Sequence, residues 1–428
     1  MGAKSTLLAL AVLCIVLGFV RSGGRLAPQG TAHPVTEINF WNGFTGPDGR
    51  TMLMMIREFN EANPDVRISM QRMDWATYYN KLMVAGLDGR GPEVFVIHAS
   101  TLARMRRAGF IDSVEDLFTG PSSLSRDDFD PYVLGQIEFD GQLIGVPLDI
   151  HPQGLYCNAK LFREAGIVNP DGTPRAPRTR EEFIEDARKL TRDTDGDGKP
   201  DIWGFAYTMW RWNFMTLVQQ FGGRYFDENG RCVLDDPKNI AAMEYLASFA
   251  RNGLAPDPEN NAGWIGFRQE RVAMVIDGVY MLGDLKRLDG LEYFGAPIPA
   301  LGPNPGAHAD SHTLCIRKGI TPEQRAAVVR FIKFLSDHSI EWAGAGQVPA
   351  RRSARATDEF KALPVQYEFS KQIPNLRYPP KTVVLFEFQI EVDLAVEKVL
   401  RNRTTAAEAL RVARENVQRF MDREGFGQ

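Results

Sequence analysis

WNGFTGPDG (residues 41–49) joins a short apolar strand, residues 38–41, to a helix that opens at Pro47. Proline is favoured at a first helical position, where its missing N–H would have no partner anyway. The corner sets free backbone donors beside the Trp41 indole. Such tips, at the carboxyl ends of parallel strands, are where α/β folds place their ligands.

Outward from this corner, Met52, Met55, Ile56 and Phe59 recur on one helical face, and Asn63-Pro64 ends that helix. Val66, Ile68 and Met70 alternate as a strand, a second helix begins at Trp75, and VFVI (94–97) is a buried strand ending at His98. Strand, helix, strand, helix, strand is the pattern of a parallel α/β sheet. Its tips are Trp41, the Asp74-Trp75 pair and residues 98–101.

Further on, Pro147 and Pro152 bracket a polar link between two apolar strands within GQLIGVPLDIHPQGLYCNAKLF (141–162), which suits a crossing between two lobes. PIPALGPNPG (297–306) is a second proline-rich crossing and VPARR (348–352) a third. Between the first two lie the acidic loop DTDGDGKPD (193–201), the aromatic run WGFAYTMWRWNF (203–214) and a strand that leaves through Gly278 toward Tyr280. After Thr382 the chain is mostly helical.

The 428 residues, 44% of them hydrophobic, suffice for two domains or one large divided one. A formal charge of −4 shows no basic excess of the kind that marks nucleic-acid binding. Residues 1–35 read as an export signal and leader: Lys4 precedes an apolar run over 7–20, shorter than the about 20 residues of a bilayer-spanning helix. The expected location is the periplasm or the cell surface, with the apolar run as an anchor if it is not cleaved. Once Cys14 leaves with the signal, the widely spaced Cys157, Cys232 and Cys315 indicate neither a zinc site nor a disulfide framework.

Taken together, the strand ending at Trp41-Asn42-Gly43, GPEVFV (91–96), LIGVP (143–147), LYCNAKLF (155–162), the acidic loop and RVAMVIDG (271–278) resemble the extracellular solute-binding proteins of ABC importers. The resemblance is to the large carbohydrate-binding family that includes maltose- and glycerol-3-phosphate-binding proteins. It implies a two-lobed α/β periplasmic-binding-protein fold with three interlobe crossings and a ligand cleft. Lobe one would be 36–148 plus 303–350, and lobe two 149–302 plus 351–428. The implied function is capture of a carbohydrate by hinged closure and delivery to a membrane permease, by a monomer that is not an enzyme and carries no cofactor.

A sugar presents hydroxyl edges and patches of C–H face, so its site needs aromatic plates rimmed by polar side chains. The candidates in lobe one are Trp41, Asn42, Phe44, Asp74, His98 and Ser100. In lobe two they are Trp210, Trp212, Asn213, Gly278 and Tyr280. Asp149 and His151 join from the first crossing, and Asp310 and His312 follow the second. Trp75 and Trp264 are read as core. By resemblance, Trp212 and Tyr280 match aromatic platforms of the family.

Other readings stay open. A glycerol phosphate or phosphodiester would be met by Arg211 or Arg351. A secreted carbohydrate-active enzyme would need facing carboxylates, for which Asp74, Asp149 and Asp310 are the candidates. Asp193, Asp195, Asp197 and Asp201 have the spacing of a calcium loop, but Gly204 stands where its bidentate carboxylate belongs. That loop reads first as a polar turn and second as a calcium site.

Overall fold

The computed structural model describes residues 35–120, 123–257 and 262–423. The export signal and Cys14 lie outside the described residues. The elements that frame the cleft are, in chain order, β1 (Thr36–Asn42), α1 (Pro47–Ala62), β2 (Val66–Arg72), α2 (Trp75–Leu87), β3 (Val94–His98), β4 (Val146–Pro147) and β5 (Gln153–Asn158). They continue with β6 (Trp203–Phe205), α3 (Trp210–Gln220), β7 (Val272–Gly278), β8 (Tyr293–Ala296), β9 (His312–Ile316), α4 (Pro322–Asp337), α5 (Ser339–Gly344), α6 (Leu385–Leu400) and α7 (Ala406–Arg423).

Two sheets result. The first has five strands in the order β2-β1-β3-β9-β4, and the second four in the order β8-β5-β7-β6. In the first, β2, β1 and β3 run parallel, as alternating strands and helices require. The late strand β9 inserts antiparallel beside β3 and puts His312 directly opposite His98. That register brings together two histidines more than two hundred residues apart in the chain.

The first sheet is packed by its helices. α1 starts with Pro47 and buries Met52, Met55, Ile56 and Phe59, one face of its four turns. Phe331 of α4 meets Phe40 edge-on at 5.3 Å and Phe59 at 5.1 Å. β3, between β1 and β9, buries every residue but His98 at its tip, so its apolar run is continuous rather than alternating.

The first and third crossings are tied to each other. Asp149–Ile150 in the first pairs antiparallel with Val348–Pro349 in the third. Just past the second, Ala307–His308 pairs with Leu376–Arg377. Cys157, Cys232 and Cys315 are buried and free. Among the described residues no helix is long and apolar enough to cross a membrane.

Candidate functional site: a cleft between the two sheets

A cavity of about 670 Å³ opens where the strand tips of both sheets meet the crossings. Of the residues expected in a site, His98, Ser100, His151, Trp212, Tyr280, Asp310 and His312 line it. Thr101, which follows Ser100 at the β3 tip, lines it as well.

Where the first sheet meets the first crossing, the histidines form a cluster. Ring centroids lie 5.0 Å apart for His98 and His312, 4.5 Å for His151 and His312, and 5.3 Å for His98 and His151. Each ring is held through its Nδ1. His312 Nδ1 lies 2.8 Å and His151 Nδ1 3.2 Å from the Asp149 carboxylate, and His98 Nδ1 meets the Tyr79 hydroxyl. Asp149 also accepts from the His312 backbone N–H at 3.0 Å and from Trp342 Nε1 of α5 at 2.7 Å. Trp75 stacks nearly flat on His312 at 5.6 Å, and Phe44 meets that ring edge-on at 4.8 Å.

The electrostatics follow from this enclosure. Burial opposes the Asp149 charge, yet His312 and the bonds from both imidazoles hold it far below the usual carboxylate range. Burial likewise opposes the His312 imidazolium, but Asp149 holds its pKa above the ordinary value. Burial pushes His98 well below it, with His312 and His151 adding repulsion. Asp310 is raised by burial and accepts from the Ser100 hydroxyl, the Ser100 N–H at 3.2 Å and the Ser311 N–H at 2.9 Å.

On the opposite wall α3 begins after Met209, whose φ of 23° is unusual for a residue with a side chain. The turn presents Arg211 and Trp212 to the cavity. Trp212 is stacked on His308 at 5.6 Å and meets Tyr280 edge-on at 6.0 Å. Burial first, then Arg211, takes His308 down to about 3. Arg211 itself is paired with Asp393.

Eight expected residues sit elsewhere, each for a local reason. Trp41 is half-buried against the core with Lys81 over its ring. Asn42 is buried and accepts from the Phe44 N–H at 3.1 Å, shaping the corner; Phe44 is buried behind His312. Asp74 caps α2 by accepting from the Ala76 N–H. Asp149 is wholly enclosed behind the histidines. Trp210 lines a separate groove with Arg401 over its ring, and Asn213 donates to the Ile276 carbonyl. Gly278 is covered by the Tyr280 ring: a Cβ there would lie 2.0 Å from it. The corner at 41–49 reaches the cavity through Gly43, Thr45, Gly46, Pro47 and Asp48 instead.

Conversely, Trp75 and Tyr79 line the cavity although Trp75 reads as core. Their spacing of four on one helix, beginning at a strand tip, is the signal that points there. Phe386 and Gln389 come from α6, far along the chain, with no local signal. Arg351 is bound to Asp128 and Asp337, away from the cavity.

The acidic loop is closed on itself. Asp193 accepts from the Gly196 and Gly198 N–H groups, Asp197 from Lys199, and Asp201 from Thr194. The carboxylates of Asp193, Asp195 and Asp197 are exposed and close together, which a polar turn of this sequence produces by itself.

Two sheets, strapped by paired crossings around a cavity with aromatic and polar walls, define a two-lobed binding protein. The chain belongs to the bacterial extracellular solute-binding protein family, whose profile matches residues 54–365. It is 23% identical over 288 residues to the arabinooligosaccharide-binding protein of Bacillus subtilis, covering 65% of this chain and 64% of that one. It is 22% identical to the sn-glycerol-3-phosphate-binding periplasmic protein UgpB of Escherichia coli, covering 93% and 95%. An ABC substrate-binding protein of Listeria monocytogenes, solved in complex with cycloalternan, has the same fold, with a TM-score of 0.78 at 18% identity over 92% of this chain and all of that one.

Proposed function

We propose that this protein is the exported binding component of an ABC importer, and that it captures a carbohydrate in the cleft and presents it to a membrane permease without chemical change. The observation that carries this reading is the pairing of the Trp212 and Tyr280 rings with the polar rim of His98, Ser100 and Asp310 around a cavity of about 670 Å³. That size falls within the range of small-ligand pockets. Rings cover C–H faces of a sugar, and imidazole, hydroxyl and carboxylate groups meet its hydroxyls. The names of the oligosaccharide-binding relative and of the cycloalternan complex point the same way.

The lobes we assign are 36–148 with 303–350, and 149–302 with 351–428, supported by the separate sheets of β1 to β4 with β9 and of β5 to β8. Arg351, Ser353 and Arg355 hold Asp128 and Asp130, so the third crossing stays fastened to lobe one just past that boundary. Closure would then be stabilised by contacts formed only when both walls meet the ligand. As a monomer in the periplasm or at the cell surface, the protein would shuttle its cargo to the permease.

The three carboxylates that an enzyme reading needs are engaged otherwise: Asp74 caps a helix, Asp149 is enclosed by four donors, and Asp310 is bonded to Ser100 and Ser311. A glycerol phosphate has one feature in its favour, Arg211 on the wall, but Asp393 already pairs with it. A thermal-shift screen against mono-, di- and oligosaccharides and glycerol phosphodiesters tests the proposal. A ligand that binds only the folded state raises its melting temperature by mass action. A shift with oligosaccharides is expected; a shift with glycerol phosphodiesters alone would replace the reading.

A further inference from the structure

We infer that His98, His151 and His312 form a binding site for a divalent transition-metal ion, with zinc as the representative, whose fourth position opens on the cleft. The inference shares the cavity with the carbohydrate reading and does not rest on it.

Three observations converge. First, one ligand nitrogen from each ring lies within 4.8 Å of the others. Zinc held by imidazole at about 2.0–2.1 Å with tetrahedral angles places ring centroids about 5 Å apart. The separations of 4.5, 5.0 and 5.3 Å bracket that value.

Second, each ring is oriented from behind through Nδ1, by Asp149 for His151 and His312 and by the Tyr79 hydroxyl for His98. Among the described residues no hydrogen bond engages the Nε2 of any of the three. A carboxylate or other group on one ring nitrogen, leaving the second for the metal, is the arrangement that fixes metal-binding histidines. Binding leaves the Nδ1 contacts in place and displaces any proton held on Nε2.

Third, the three rings arrive from separate elements: the tip of β3, the first crossing and the start of β9. The β3–β9 register sets His98 opposite His312, and the first crossing brings His151 beside both. All three also line the cavity, so a metal held there keeps a position free for a solute oxygen, as sites with three protein ligands do. An all-imidazole donor set suits zinc, copper, nickel or cobalt rather than magnesium or calcium.

The test uses the full chain, stripped with a chelator and shown by its melting curve to remain folded, and titrated with Zn²⁺ alone. One Zn²⁺ per chain is expected, and Co²⁺ in its place should give the intense visible absorption of a tetrahedral site. His98→Ala and His151→Ala should each weaken Zn²⁺ binding by about 100-fold or more, and Tyr79→Phe, which removes only an orienting group, by about 10-fold. Asp195→Ala in the acidic loop should leave Zn²⁺ affinity unchanged.

Absence of Zn²⁺ binding by folded protein, or an affinity in His98→Ala and His151→Ala equal to that of the wild-type chain, would overturn the site. If those variants do not fold, a Co²⁺ spectrum of octahedral type in the wild-type chain overturns it. Sugar binding by the stripped protein with no Zn²⁺ uptake removes the metal and keeps the carbohydrate reading. Zn²⁺ uptake with no sugar binding does the reverse.

Discussion

Two aspartates stand behind the two walls of the cleft, both fully enclosed, and they behave in opposite ways. Asp149, behind the cleft histidines, faces donors from His312, His151 and Trp342 and is held far below the usual carboxylate range. Asp277, beneath Tyr280 at the end of β7, accepts from the Gly278 N–H at 2.7 Å and has the Tyr280 hydroxyl at 3.5 Å; burial pushes it up to about 7. Burial disfavours a carboxylate everywhere, and the partners decide whether it stays charged. The histidine wall is thus an electrostatically locked polar floor. The opposite wall offers rings over an under-partnered acid.

The largest effect should come from breaking the locked side. Asp149→Ala leaves the buried His312 and His151 rings and the Trp342 N–H without their acceptor, and should cost about 3–5 kcal/mol in urea unfolding. Next, Trp212→Ala removes a half-buried ring from the other wall. It should weaken ligand binding by about 2 kcal/mol, roughly 30-fold by calorimetry, while changing stability by less than about 1.5 kcal/mol. A variant equal to wild type in affinity would remove Trp212 from the site.

The contrast between the aspartates has a pH signature. The folded pKa of Asp277 is raised, so its contribution to stability is full below its unfolded value of 3.8 and is lost as pH rises through about 7. Asp149 is depressed, so its contribution is present above an unfolded value of 3.8 and is lost only as pH falls below it. Asp277→Asn should therefore flatten the decline between pH 4 and 8 and leave the acid limb in place; at pH 8 it should be more stable than wild type by about 1–2 kcal/mol. An unchanged slope in urea melts across that range would contradict the assignment. The smallest effect belongs outside both walls: Asp195→Ala in the self-closed loop should stay within about 0.5 kcal/mol of wild type.

The same contrast explains what the sequence made legible. Strand and helix periods around Trp41 lead to the parallel sheet, and prolines near 147, 299 and 349 mark the crossings, because these are local properties of the chain. The tips His98 and Ser100 were readable for the same reason. The corner misleads one position at a time: Asn42 folds back on the Phe44 N–H, and Trp75 fills the space beside Gly43, where a Cβ would lie 2.1 Å from its ring. Side-chain direction at a turn depends on such contacts, which no period encodes. Asp149 was legible as a crossing residue, but its enclosure needs His312 and Trp342, both well over a hundred residues away. Phe386 and Gln389 depend on how α6 packs across the cleft.

The most direct measurement is titration calorimetry of the full chain with whichever oligosaccharide raises its melting temperature most, followed by chromatography of the recovered sugar. Capture without chemistry predicts one sugar bound per chain and its recovery intact. Recovery as smaller products, or no heat from any oligosaccharide with folded protein, would contradict it.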